Sequence, residues 1–118
     1  MLLAADVAPE LSVSQIQTGE YRGQFLLVWQ HITVSPTIKA AIAKTPYGPF
    51  TDDTILFTHD THLKIVGKAN TTYNAKAHPA LSGPGELLIS YNINGGTDAF
   101  EYGDIYRPRF LRTARMAK

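Results

Sequence analysis

The sequence predicts an all-β fold built from two antiparallel, blade-like sheets. Three observations lead there. Apolar runs of strand length recur along the 118 residues. Turns rich in Gly and Pro separate them. One strand–turn–strand pattern appears twice.

The elements follow in order. "LSVSQIQ" (11–17) alternates and is rich in β-formers, and "TGEYRG" after it is a turn. "QFLLVWQ" (24–30) is an almost continuous apolar run, the pattern of a buried strand. "TIKAAIAKT" (37–45) follows Pro36 and is ambiguous: Ile38, Ala40 and Ile42 alternate as in a strand, while its alanines suit a helix. "PYGPF" (46–50) is a turn, because Pro fixes φ and Gly frees it. "TILFTH" (54–59) is a further strand. Residues 60–72 make a polar connection around Leu63, Ile65 and Val66. "NAKAHPALS" reads as extended, with Pro79 opposing a helix. "GPG" (83–85) is a tight turn, "ELLISYN" (86–92) a strand and "GGTDAFEYGD" (95–104) a loop. "IYRPRFLRTA" (105–114) closes the chain as a strand, with Pro108 marking an edge or a bulge. The expectation is a single domain over 1–118, with a first unit at 11–58, a connection at 59–72 and a second unit at 73–114.

The two units superpose. "FLLVWQ" at 25–30 lies over "LLISYN" at 87–92, a separation of 62 residues. Phe25 then matches Leu87, Leu27 matches Ile89, Trp29 matches Tyr91 and Gln30 matches Asn92. Self-similarity with a period of roughly 40–50 residues marks a propeller, and long connections would stretch that period here.

Composition narrows the function classes. A hydrophobic content of 44%, a charged content of 18% and a net charge of +1 describe a globular chain. With 11 basic and 10 acidic residues there is no overall field to steer a polyanion, so no nucleic-acid partner is expected. Arg107, Arg109, Arg112, Arg115 and Lys118 cluster near the end, as on a solvated strand face and tail. The chain has no cysteine, which excludes disulfides and Cys-based zinc sites or nucleophiles but does not decide the compartment. No apolar run approaches the roughly 20 residues that span a bilayer, and no membrane partner is expected. "MLLAADVAPE" is apolar but lacks a basic n-region, so it does not read as a signal peptide. It reads instead as a chain starting partway through a fold.

"TPYGPF" after a strand, then "YNAKAHPALS", "ELLISYN" and "DIYRPRF" in that order, resemble the C-terminal part of a five-bladed β-propeller family. That family is related to arabinanase- and levansucrase-type glycoside hydrolases. It includes bacterial and fungal domains of unknown function, some of them acting on arabinan-like glycans. The resemblance covers roughly residues 11–112, and 73–92 with 104–110 carry it most specifically. It implies a partial propeller whose inner strands face a central channel holding the substrate pocket. In the related hydrolases the acidic catalytic residues come from several blades, beginning with the first, whereas this chain supplies only about two.

The candidate site sits in "YNAKAHPALSGPGELLISYN" (73–92). On the resemblance, Tyr73, Asn74 and His78 point toward a polar channel, with Tyr91 and Asn92 nearby and Arg107 able to hold an acidic group. Aromatic rings stack on apolar sugar faces, and amides donate to and accept from hydroxyls. The other reading is structural: Asn74 caps a turn, His78 is a satisfied histidine and Tyr91 packs. Glycoside hydrolysis ordinarily needs two carboxyl groups at a defined separation. The acidic residues Asp6, Glu10, Glu20, Asp52, Asp53, Asp60, Glu86, Asp98, Glu101 and Asp104 read as turn residues, with none inside a clear strand. No catalytic residue can be named. "HDTH" (59–62) places His59 and His62 at a spacing that zinc or another transition metal could use, but a third firm ligand is lacking, so no metal or cofactor is expected. Arg107 and Arg109 share a strand face and suit either an external carboxylate or an internal salt bridge to Asp104 or Glu86. His31 has no identifiable partner.

Two functions from different classes follow. One is a non-catalytic carbohydrate-binding or self-assembling module, completed as a homo-oligomer. The other is a glycoside hydrolase whose site forms between subunits.

Overall fold

The computed structural model describes residues 7–32, 35–58, 64–65, 68–69, 71–83, 85–94 and 108–113. Strands β1 (Val7–Gln15), β2 (Phe25–His31), β3 (Thr37–Ala43) and β4 (Thr51–Thr58) form an antiparallel sheet in chain order. β5 (Lys64–Ile65) and β6 (Lys68–Ala69) form a minimal antiparallel pair within the connection. β7 (Thr71–Ala77), β8 (Leu87–Asn94) and β9 (Pro108–Thr113) form a second antiparallel sheet. Among the described residues the only helical element is a single 3-10 turn, Pro79–Leu81. The fold is therefore all-β with two antiparallel sheets.

β2 shows why the first sheet forms. All of Leu26 to Gln30 is buried, so the strand is covered on both faces and its sequence is apolar throughout. Leu26 and Val28 join Ile38 and Ala40 of β3 in a core shared with Ala75 and Ala77 of β7 and with Leu87, Ile89, Tyr91 and Ile93 of β8. That core lies between the two sheets. Leu27 and Trp29 point the other way, into a second cluster with Ala41, Ala43 and Phe50.

"TIKAAIAKT" resolves as a strand. In the register Leu27 lies opposite Ala41 and Phe25 opposite Ala43. The alanines leave room for those larger neighbours, and this packing overrides their helical preference. After β3, Gly48 adopts φ +84, and a Cβ there would lie 3.0 Å from the Phe50 backbone nitrogen. Thr45 Oγ1 donates to the Gly48 carbonyl at 2.6 Å and closes the turn.

Three readings change. β1 begins at Val7 rather than residue 11. The segment after Ala77 is not extended throughout: Pro79 opens a 3-10 turn, because its missing N–H has no partner to lose in a first turn. Acidic residues do occur in strands. Glu10 lies in β1, and Asp52 and Asp53 lie in β4. Asp53 is tolerated there because its exposed carboxylate meets Lys39 Nζ of β3 at 2.5 Å.

The repeated pattern has a defined geometry. β2 and β8 are each the second strand of their sheet. In β2 the face carrying Leu26 and Val28 meets the second sheet. The matched face of β8, with Leu88 and Ser90, points away from the first sheet, while Ile89 and Tyr91 point toward it. Ile89 and Tyr91 match Leu27 and Trp29, which lie on the far side of the first sheet. Equivalent faces thus point in the same direction, so the sheets stack head to tail rather than about a two-fold axis.

Candidate functional site

A buried polar network ties the sheets together at one end. Gln30, fully buried at the end of β2, donates through Nε2 to Thr72 Oγ1 of β7 at 2.7 Å. The same amide nitrogen lies 2.6 Å from the Ser35 carbonyl and 3.0 Å from that of Thr37. Thr72 Oγ1 donates to the Ser35 carbonyl at 2.6 Å, and the Ser35 N–H donates back to the Thr72 carbonyl at 3.2 Å. The connection from β2 to β3 is thereby pinned onto the start of β7.

Just beyond this network β7 is irregular. Thr71, Thr72 and Tyr73 pair with Asn94, Ile93 and Asn92, and pairing then resumes with Lys76 opposite Ser90. Asn74 and Ala75 together span the single Tyr91 position, which is a β-bulge. Ala75 is fully buried between the sheets. Asn74 takes φ 59, a left-handed conformation that asparagine tolerates better than most residues. Its Oδ1 is buried with no hydrogen-bond partner, and so is Gln30 Oε1. Buried amide oxygens of this kind are rare and call for a reason.

The predicted site residues divide between two ends of β7. Tyr73 and Asn92 are directly opposite each other, and Asn74 adjoins them in the bulge. His78 lies past the other end. Its N–H donates to the Leu88 carbonyl at 2.8 Å, and its Nε2 lies 2.7 Å from Ser90 Oγ. The His78 carbonyl accepts from Ser82 Oγ at 2.7 Å. Leu88 and Asn92 are four residues apart on one strand, so His78 lies roughly 13 Å along the sheet from the Tyr73–Asn92 pair. Register places Tyr73, Lys76, Ser90 and Asn92 on the face away from the first sheet. Tyr91 faces inward, its ring 5.8 Å from that of Phe57, and burial raises its phenol above the ordinary value, with Arg109 pulling the other way.

Arg107 and Asp104 lie outside the described residues, as do His59, Asp60 and His62. Glu86 forms its described ion pair with Arg112, Oε2 to Nη1 at 3.5 Å. Among the described residues no group of three or more His, Asp or Glu is placed to hold a metal. The Lys39 ammonium holds the Asp53 carboxyl below its ordinary value. The reading from sequence alone missed the role of Gln30 and the bulge at Asn74. A glutamine closing an otherwise apolar, buried strand was the available signal, since such a group must find partners inside.

A two-sheet, all-β domain with a polar strand end is the class of protein these features define. The chain belongs to the family described as a domain of unknown function, DUF5005, whose model matches residues 4–115. It is similar in fold to the crystal structure of a presumed hydrolase from Bacteroides ovatus ATCC 8483, with a TM-score of 0.63 and 34% sequence identity. The likeness covers 76% of this chain and 24% of that one, so the chain spans about a quarter of that protein's length. No curated protein matches the chain.

Proposed function

We propose that the chain is a two-blade segment of a β-propeller and serves as a carbohydrate-binding, self-assembling module. Head-to-tail stacking of equivalent faces supports the propeller reading, because that is how successive blades meet around a ring. The observation that carries the binding reading is Asn74. It is held left-handed in a bulge beside the Tyr73–Asn92 pair, with an amide oxygen buried and unpartnered. Backbone outliers of this kind collect at ligand sites. In this reading Tyr73 stacks on a sugar ring, the Asn74 amide N–H and the Asn92 amide bond its hydroxyls, and Arg107 meets an acidic group where one is present. His78 contributes at the margin, its ring already held by Ser90.

Affinity electrophoresis in gels containing arabinan or fructan tests binding. Retardation of the wild type that is lost in Asn74→Gly supports the module, since glycine keeps the left-handed backbone and removes the amide. Equal migration with and without polysaccharide rejects it.

A second reading is glycoside hydrolysis. The 34% identity to a presumed hydrolase favours it. The carboxylate pair would then come from sequence beyond this quarter-length segment or from a second subunit. Release of sugar from polymer, abolished by one Asp or Glu substitution, would establish it.

A further inference from the structure

A cavity of about 530 Å³ opens at the end of the sheet pair opposite Tyr73 and Asn92. It lies between the two hairpin turns, lined by residues of 16–21 on one side and of 79–83 and 85–87 on the other. Its floor is aliphatic, from Leu26, Ala40, Ile42 and Leu87. The cavity arises because β7 packs on β1 and β2, while the inner face of β3 and β4 faces the start of β8 across a gap. A volume of this size accommodates a small organic molecule.

The polar groups on its walls are unequal. The Gln15 amide donates one N–H to the Gly23 carbonyl, and the Gln17 amide donates one to the Gln15 carbonyl. Ser82 Oγ donates to the His78 carbonyl and accepts the Leu88 N–H at 2.8 Å. The hydroxyl residues Ser14, Thr18, Tyr21 and Thr54 also line the cavity. Among the described lining residues Glu86 carries the one charge at neutral pH. Its partner Arg112 does not line the cavity and reaches one carboxylate oxygen at 3.5 Å.

We infer that this cavity is a separate ligand site for a small organic cation bearing an apolar ring. The ring fills the aliphatic floor, and the ammonium meets the Glu86 carboxylate. Exposed ion pairs contribute at most about 1 kcal/mol, so charge selects among ligands while the floor supplies most of the affinity.

The test titrates tryptamine and indole-3-acetate, which share a ring and differ in charge, into the isotope-labelled chain. Tryptamine is expected to shift the amides of Ile16, Tyr21, Ile42 and Leu87. It should bind about fivefold tighter than indole-3-acetate, the ratio that 1 kcal/mol gives. In Glu86→Gln the two affinities should come within about twofold. Ile42→Trp should fill the floor and abolish both. Absence of tryptamine shifts at these positions in the wild type overturns the site, whether or not the tryptophan variant folds. Equal affinities in the wild type, or a ratio unchanged in Glu86→Gln, overturns the selection for a cation.

Discussion

Gln30 and Thr72 are joined side chain to side chain across the sheet interface at 2.7 Å, although 42 residues separate them in the sequence. This contact holds the first unit in register with the second. Thr72→Val removes the hydroxyl that accepts from Gln30 and donates to Ser35. Gln30 and the Ser35 carbonyl keep their bond to each other, so the cost is that of two buried hydrogen bonds, about 1–3 kcal/mol, read from the midpoint of urea unfolding. Gln30→Leu removes the amide donor from Thr72 Oγ1 and from the Ser35 and Thr37 carbonyls, leaving Ser35 with its bond from Thr72 Oγ1, and should also destabilise the fold.

The left-handed backbone at Asn74 gives a contrast between two small substitutions. Asn74→Ala forces a Cβ-bearing residue without a helpful side chain into φ 59 and should cost about 1 kcal/mol or more. Asn74→Gly should be close to neutral for stability. Thermal unfolding of the pair checks this; equal loss in both would mean that the amide, not the backbone, sets the stability.

Asp53 offers a pH prediction. Lys39 favours the charged carboxylate, first through their hydrogen bond and then through its charge, so the folded value lies below the ordinary 3.8. The pair's contribution is therefore present above that ordinary value and is lost as pH falls through the lowered one. Carboxyl carbon shifts followed against pH should show Asp53 titrating low, and Lys39→Ala should bring it back toward 3.8. High salt should act in the same direction, since the pair is exposed.

Tyr91 moves the other way. Burial raises its folded value above the ordinary 10.0, so neutral Tyr91 stabilises the fold below that value, and the contribution is lost as pH rises through the raised one. Tyr91→Phe should soften the alkaline unfolding limb, followed by circular dichroism. An unchanged limb would assign alkaline unfolding to other groups.

Much of this fold was legible in local patterns. The apolar run of β2, the turn at Gly48 and the match of β2 to β8 all rest on short-range chemistry. "TIKAAIAKT" was not decidable locally, because its alanines become strand residues only when Leu27 and Phe25 lie beside them. Asp53 read as a turn residue because its partner, Lys39, sits on another strand. At the candidate site the residue types at Tyr73, Asn74 and Asn92 were visible. The bulge that sets Asn74 left-handed, and the distance separating His78 from the pair, depend on how β7 registers with β8.

The self-assembly proposed above would use the outer face of the second sheet. Phe110 there is 59% exposed, beside half-buried Leu88 and Ser90. Phe110 is the apolar side chain that a second copy would cover in that assembly. Light scattering at micromolar concentration should give a mass above that of one 13.0 kDa chain, and Phe110→Lys should lower it. A sharp monomer mass for the wild type would contradict the assembly.

Carbohydrate binding at the bulge is tested by residue-level NMR titration of the chain with arabinan- and fructan-type oligosaccharides. Saturable shifts are expected at Tyr73, Asn74 and Asn92 and should vanish in Asn74→Gly, while the Gln30 and Thr72 signals report an intact fold. Wild-type shifts elsewhere with none at those three residues, or no shifts at any sugar concentration, would contradict it.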